Sequence, residues 1–129
     1  MRFPSNEIVE SIRKNYSKGT RVELVHMNDV QAPPIGTKGT VLGVDDTGSI
    51  MVNWDNGSGL NIVYGEDKCR KLDAVKITCY KKTEIWDSRK EAAAFYFEAI
   101  TGSDGSECER YLKIYTELLI GMEECSDER

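Results

Sequence analysis

The chain has 129 residues, 40% of them hydrophobic and 30% charged, with a formal net charge of −5 at pH 7. These values suit one soluble globular domain, or a small domain with an appendage. The acidic excess lies in residues 73–129, and no block is basic enough to form an evident footprint for a nucleic-acid backbone, which disfavours generic DNA or RNA binding.

The N-terminal segment, residues 1–17, is predicted to form a helix. Pro4 and Ser5 stand at its start, and Lys18-Gly19 marks its end. Its apolar residues recur with helical spacing, at Ile8, Val9, Ile12 and Tyr16. The segment lacks the uninterrupted apolar core of a signal peptide, and no stretch of the chain is long enough to cross a membrane. We therefore expect a cytoplasmic protein without a membrane partner.

Residues 18–86 are predicted to form a small SH3-like antiparallel barrel. Short stretches of alternating apolar and polar residues are separated by turns rich in glycine, asparagine and aspartate. A long loop with two prolines follows the first strand, which fits the same plan. The predicted strands cover residues 20–27, 40–44, 49–55, 60–64 and 74–86, and a turn is predicted over residues 65–72.

Residues 87–129 are predicted to form a helical hairpin that ends in a frayed acidic tail. The first helix begins at Asp87 or Ser88 and ends at Gly102. The second begins with a capping box, in which Ser106 stands three residues before a glutamate. Its expected buried face comprises Tyr111, Leu112, Tyr115, Leu118 and Leu119. The complete prediction is an α+β fold, mainly β, in which a barrel carries an N-terminal helix and a C-terminal helical hairpin.

Cysteine, histidine and aspartate usage argues against a metal site. The four cysteines contain no C-x-x-C pair, and the chain has one histidine, so a zinc site is disfavoured. Four cysteines are enough for two disulfides, but free thiols in a reducing cytoplasm are the simpler interpretation. Asp45, Asp46 and Asp55 lack the order of a calcium-binding loop and suit turns instead. We expect neither a metal nor a cofactor.

Enzymatic activity is not predicted. His26 has no cysteine or serine motif beside it, which is more typical of a polar residue at a strand end than of a catalytic base. The sequence contains neither a nucleophile-elbow motif nor a glycine-rich phosphate-binding motif. No residue is therefore assigned a catalytic role.

Trp54 and Asp55 are candidate binding residues at the end of a predicted strand. Exposed aromatic residues on SH3-like modules bind peptides, and tryptophan also stacks on nucleic-acid bases. Strand alternation, however, places Trp54 on the same face as Ile50 and Val52. That placement favours a structural role for the tryptophan at the rim of the core.

Two other regions are candidates for exposed contacts. Pro33 and Pro34 stiffen the loop after the first strand, so it can present a contact surface with little loss of entropy. Phe95, Tyr96 and Phe97 are consecutive in a predicted helix. Consecutive helical residues lie about 100° apart, so one buried face cannot hold all three rings. At least one ring is exposed or covered by another chain, with Tyr96 and Phe97 as the candidate contacts.

Residues 18–72 also carry a specific resemblance. The blocks GTRVEL, DVQAPPIGTKGTV, VDDTG and WDNGS occur there in this order. Together they resemble the pattern of the bacterial domain-of-unknown-function family 4314. The resemblance implies a small SH3-like barrel found in Gram-positive gut bacteria, often on integrative elements, plasmids and phages. The C-terminal segment is similar to segments that accompany this domain in mobile-element proteins. No activity and no functional residue come with the resemblance.

These observations favour a non-catalytic protein-interaction module of a bacterial mobile element or phage. Its partner is a protein, and a homodimer stays open. An alternative is an inhibitor of a host nuclease or defence system, whose acidic C-terminal segment mimics nucleic acid or blocks a basic groove. A second alternative is a nucleic-acid-binding accessory protein, which the near-neutral charge of residues 18–72 disfavours.

Overall fold

The computed structural model describes residues 4–128, which form two compact units that divide after Leu72. Unit 1 runs up to Leu72, and unit 2 begins at Asp73. Residues 1–3 of the predicted N-terminal segment and residue 129 of the predicted tail lie outside the described residues. The α+β class is confirmed, with helix and strand in about equal amounts rather than mainly β. In chain order the elements are α1 (Asn6–Asn15), β1 (Arg21–His26), β2 (Lys38–Val44), β3 (Ile50–Trp54), β4 (Lys68–Lys71), β5 (Val75–Cys79), β6 (Lys82–Trp86), α2 (Arg89–Thr101), α3 (Gly105–Leu119) and β7 (Glu124–Ser126).

The predicted N-terminal helix is present as α1. Ser5 is its N-cap, because its Oγ accepts a hydrogen bond from the N–H of Ile8 at 3.3 Å. Val9 is buried, and Ile12 and Tyr16 pack against the core of unit 1. Three residues of the predicted apolar stripe therefore face the interior of unit 1, whereas the fourth, Ile8, is exposed.

Unit 1 is built on a four-stranded antiparallel sheet with the strand order β3-β2-β1-β4. Gly39 of β2 lies so close to β3 that a Cβ there would stand 2.7 Å from Val52 Cγ1 and 2.8 Å from Trp54 Cε3. Because β3 and β4 are the edges of this sheet, the described residues do not show its closure into a barrel. The buried core of the unit comprises Val22, Leu24, Val41, Ile50, Val52, Trp54 and Ile62.

The strand predicted over residues 60–64 is wrong, and the turn predicted over residues 65–72 is correct only at its start, because the turn lies at residues 64–66. Within 60–64, Ile62 alone pairs, through an isolated bridge to β3, whereas β4 lies inside the predicted turn. Asp67 supplies the physical reason, because its carboxylate accepts the N–H of Val63 at 2.8 Å and fixes a turn before β4. The chain then enters β4 and pairs antiparallel with β1.

The fifth strand predicted over residues 74–86 is two strands. Tyr80 and Lys81 have φ angles of 52° and 65° and form a two-residue turn between β5 and β6. This hairpin belongs to a second sheet with the order β6-β5-β7, in which β7 runs parallel to β5. The barrel predicted over residues 18–86 therefore does not include it. The turn carries no glycine or asparagine, so it lacks the usual sequence signal of a hairpin.

The predicted helical hairpin is present as α2 and α3. Ser88 caps α2 by accepting a hydrogen bond from the N–H three residues later, at 3.2 Å. The capping box predicted at Ser106 is wrong, because Asp104 already has the extended backbone of an N-cap and α3 begins one residue later. The tail is not frayed, since β7 pairs with β5 and Cys125 is buried. The core of unit 2 comprises Val75, Ile77, Ala92, Tyr96, Ile114, Leu118 and Cys125.

Candidate functional site

Trp54 is a core residue at the end of β3. Its exposed fraction is 1%, and its Nε1 donates a hydrogen bond to the carbonyl oxygen of Leu60 at 2.7 Å. The ring belongs to the same buried cluster as Ile50 and Val52, so the placement predicted from strand alternation is confirmed. Because both the ring and its N–H are engaged inside unit 1, the tryptophan has no free face for stacking on a peptide or a base.

Asp55 is half-exposed, but its carboxylate forms an ion pair with Arg21. Nη1 and Nη2 of Arg21 donate to the two carboxylate oxygens at 2.9 and 2.7 Å, and Nη1 also donates to Thr40 Oγ1 at 3.0 Å. The hydrogen bonds from this guanidinium hold the pKa of Asp55 below its ordinary value. Asp55 therefore fastens the end of β3 to β1 rather than presenting a carboxylate to a ligand.

The two aspartates of the β2–β3 turn are both engaged within unit 1, Asp45 with the turn itself and Asp46 with α1. Oδ1 of Asp45 accepts hydrogen bonds from the N–H and hydroxyl of Thr47 and from the N–H of Ser49, at 2.7 to 3.0 Å. These bonds, the Thr47 hydroxyl foremost, hold the pKa of Asp45 below its ordinary value. Asp46 pairs with Arg13 at 2.8 Å. Throughout residues 4–128, no group of three or more His, Cys, Asp or Glu side chains is placed to hold a metal ion.

The loop between β1 and β2 presents aliphatic side chains. The hydroxyl of Thr37 donates a hydrogen bond to the carbonyl oxygen of Pro34 at 2.6 Å, which stabilises the loop from within. Pro33 is buried, whereas Pro34 is exposed. Val30 and Ile35, which flank the two prolines, have exposed fractions of 104% and 75%. The loop therefore offers Pro34 with these two aliphatic residues, and Pro33 supports it from inside.

The three consecutive aromatic residues of α2 are divided between core and surface. Tyr96 is buried, while Phe95 and Phe97 are each 53% exposed. The prediction that one buried face cannot hold all three rings is thus confirmed. Phe95 packs against Trp86, with ring centroids 5.3 Å apart, and Phe97 packs against Tyr115 at 5.8 Å. Of the two candidate contacts, Phe97 is accessible and Tyr96 is not.

Phe97 extends an apolar surface of α3, which we name the outer helix face. Leu112, Tyr115 and Leu119 follow the i, i+3, i+7 spacing and therefore share one side of α3. Leu112 is 49% exposed and Leu119 is 63% exposed. The outer helix face comprises Phe97, Leu112, Tyr115 and Leu119.

The sequence predicted that Leu112, Tyr115 and Leu119 are all buried. This prediction is wrong for the two leucines, which are exposed. The buried side of α3 consists of Ile114 and Leu118, and Tyr111 and Tyr115 are partly buried against the same cluster. Leu112 and Leu119 lie on the other side. The i, i+4 spacing of Ile114 and Leu118 does not reveal this division in the sequence, because Tyr115 and Leu119 have the same spacing.

A contact that sequence analysis missed fastens the C-terminal residues. Oδ2 of Asp127 accepts hydrogen bonds from Arg110 Nη1 at 2.6 Å and from the N–H of Tyr80 at 2.8 Å. The guanidinium of Arg110 also lies 4.3 Å from the ring centroid of Tyr80. Burial acts to raise the pKa of Asp127, but the two hydrogen bonds outweigh it and hold the pKa below its ordinary value. The predicted acidic tail thus contains a structural carboxylate.

Comparison with known proteins places unit 1 in a family. A family model for a domain of unknown function (DUF4314) matches residues 5–72. The chain belongs to this family. The match ends where unit 1 ends, so it includes α1 and the four-stranded sheet, and it stops before α2 and α3. None of the curated proteins compared with the chain matches it.

The DUF4314 unit and unit 2 each contain a thiol with a strongly shifted pKa. Burial raises the pKa of Cys69 to about 11 and that of Cys79 to about 11. Both thiols are therefore protonated at neutral pH, the opposite of an activated nucleophile. All four cysteines are free. His26, the single histidine, is exposed at the end of β1, which is the strand-end position that the sequence predicts.

The DUF4314 description names no activity, so the role of each surface rests on its geometry. None of the helices within residues 4–128 is both long enough and apolar enough to cross a membrane. Of the predicted binding residues, the exposed ones are Pro34 and Asp55 in unit 1 and Phe97 in unit 2.

Proposed function

We propose that the protein is a non-catalytic interaction module that binds a protein partner on the outer helix face. The observation that carries this proposal is the packing of Phe97 on Tyr115, which shares its side of α3 with the exposed Leu112 and Leu119. Folding alone gives no reason to leave a phenylalanine and two leucines together in water. Aromatic residues flanked by aliphatic ones are the usual centre of a protein-protein contact.

Charge favours a partner other than a second copy of the chain. Residues 73–129 hold eight basic and thirteen acidic side chains. Exposed Glu98 follows Phe97 directly, and exposed Glu109 stands three residues before Leu112. Two copies meeting through this face would bring like charges together, whereas a partner with an apolar centre and basic rim would be attracted. We therefore assign the partner this chemistry.

The absence of a catalytic role is part of the proposal. The raised pKa values of Cys69 and Cys79 support it, since neither thiol is activated for attack. A cytoplasmic location fits four free thiols. If the mobile-element setting implied by the family resemblance holds for this chain, the partner is a protein of that element or of its host.

The partner is tested by affinity capture from a lysate of a bacterium that carries the gene. The wild-type chain is compared with a Leu112→Ser, Leu119→Ser variant and with a Val30→Ser control. Val30 is a fully exposed aliphatic residue in unit 1, so its substitution removes apolar surface outside the outer helix face. We expect a protein that the wild type and the control retain and the double variant loses. Equal retention of every captured protein by all three chains would contradict the assignment.

A second candidate is inhibition of a basic nuclease or defence protein. The acidic excess of unit 2 favours it, because such a surface attracts proteins whose grooves bind nucleic acid. Substitution of Glu98 and Glu109 by glutamine distinguishes this function from simple docking. Under the inhibitor hypothesis the neutralised variant loses nuclease inhibition and the salt sensitivity of capture decreases. Unchanged nuclease activity in the presence of the wild-type chain would exclude this second candidate.

A further inference from the structure

A pocket of about 470 Å³ opens in unit 1 between α1 and the segment that leads into β4. Its lining is mainly apolar and aromatic, with Ile12 of α1, Tyr16 at the C-cap of that helix, and Ile62 and Tyr64 from the segment before β4. Pockets of this size hold small molecules. None of the residues of the outer helix face lines it, so a ligand here would be independent of the docking function.

The acidic and basic side chains of the pocket differ in how far they are engaged by other groups of the protein. The carboxylate of Asp67 accepts two backbone N–H groups at 2.8 Å, one on each oxygen, so both oxygens are engaged within unit 1. Lys68 also lines the pocket, and no ion pair to its ammonium group occurs in the described part of the chain. The ammonium group of Lys71 lies 5.9 Å from the ring centroid of Tyr16, a residue of the pocket wall. The pocket edge is therefore suited to an anionic group.

We propose that this pocket binds a small aromatic carboxylate, with its ring against Tyr16 and Tyr64 and its carboxylate beside Lys68. Tyrosine rings favour an aromatic body through edge and face contacts. A lysine ammonium supplies a charge-assisted hydrogen bond to the carboxylate. The remaining polar wall, the thiol of Cys69, is half-buried and protonated, so it adds polarizable surface without a competing negative charge.

The proposal is tested with three probes that share one body and differ in the head group: phenylbutyrate, phenylbutanol and phenylbutylamine. Each is titrated into the full-length chain while amide NMR resonances are followed. We expect saturable shifts at Gly48, Gly65 and Cys69, which line the pocket. The acid should bind about two- to fivefold more tightly than the alcohol, as for one partly exposed ion pair, and the amine should bind least.

Charge reversal at Lys68 supplies the decisive comparison. Lys68→Glu should weaken binding of the acid by about two- to fivefold and strengthen binding of the amine by a similar factor. Lys18→Glu makes the same change of charge at an exposed residue outside the pocket and should leave the order of the probes unchanged. Because Lys68 is exposed, its variant is expected to fold, which the amide spectrum checks directly.

Three results would overturn the proposal. The first is equal affinity for the three probes, as expected of an apolar groove that accepts a peptide segment. The second is the lack of saturable shifts at millimolar concentration. The third is an identical response of the Lys68→Glu and Lys18→Glu variants. As an independent check, added salt should weaken binding of the acid and leave binding of the alcohol unaffected, and an equal response of both probes would also count against it.

Discussion

The carboxylate of Asp127 lies 2.6 Å from the guanidinium of Arg110, and it joins the end of the chain to the middle of α3. The same carboxylate accepts the N–H of Tyr80, in a turn where two consecutive non-glycine residues have positive φ. Such backbone is unfavourable by itself and persists when its surroundings hold it. Asp127 thus connects three parts of unit 2: its last residues, its second helix and its strained hairpin.

Replacement of Asp127 by asparagine should destabilise unit 2. The substitution removes the ion pair to Arg110 and weakens the bond from Tyr80, with an expected loss of about 1–2 kcal/mol of unfolding free energy. Glu128→Gln, at the exposed neighbouring residue, is the matched control and should be neutral. Urea unfolding followed by Trp86 fluorescence, in a Trp54→Phe background, measures both. Equal midpoints for the two variants would show that the contact is not structural.

Acid should remove part of the same stabilisation. The folded-state pKa of Asp127 lies below its ordinary value of 3.8, so the unfolded chain binds the proton more readily than the folded chain. Its contribution is therefore fully present above about pH 4 to 5 and is lost as the pH falls through the lower, folded-state value. The urea midpoint of unit 2 should decrease from pH 5 to pH 3 more steeply in the wild type than in Asp127→Asn. Parallel decreases would refute this role.

Gly39 should tolerate no side chain. An added Cβ would stand 2.7 Å from Val52 Cγ1 and 2.8 Å from Trp54 Cε3, inside the packed core of unit 1. We expect Gly39→Ala to reduce stability by about 1–3 kcal/mol through overpacking. Gly59→Ala is the control, because a Cβ at Gly59 meets nothing within 4 Å. Thermal unfolding monitored by Trp54 fluorescence, in a Trp86→Phe background, compares them. Similar melting temperatures would contradict the close packing of the two strands at this point.

The thiols of Cys69 and Cys79 should react slowly in the folded protein. Both have a pKa raised to about 11 by burial, so only a small fraction is thiolate at pH 8. We expect iodoacetamide to modify them far more slowly in buffer than in urea, where the ordinary pKa is restored. Peptide mass spectrometry over time locates each modification. Rapid alkylation of Cys69 in buffer would contradict its burial.

Sequence periodicity predicted the parts of this fold that rest on local rules. Strand alternation placed Trp54 in the core, and the predicted N-cap, Asp87 or Ser88, located the start of α2 to within one residue. Long-range contacts decided the rest. The turn before β4 depends on the carboxylate of Asp67, which accepts the backbone N–H groups of Asn28 and Val63. The Tyr80-Lys81 turn lacks the residues that usually mark a hairpin.

Only part of the outer helix face could be predicted from the sequence, because contacts distant in the sequence decide which side of α3 is buried. Three adjacent aromatic residues on a helix guarantee exposure of at least one, which identified Phe97 as a candidate. Which side of α3 faces the core depends on the sheet beneath it. Leu112 and Leu119 are apolar and have helical spacing, so the sequence alone predicts them to be buried. Their exposure follows only from the structure, in which Ile114 and Leu118 face the core.

The affinity of the purified partner for a Leu119→Ser variant tests the docking face most directly. Calorimetric titration against the wild type, Leu119→Ser and Val30→Ser measures the contribution of one exposed side chain in each unit. If the outer helix face is the binding surface, Leu119→Ser weakens binding about tenfold or more while Val30→Ser leaves it unchanged. If Leu119→Ser binds as tightly as the wild type, or Val30→Ser alone weakens binding, the partner contacts another surface and the assignment of function to the helix pair is wrong.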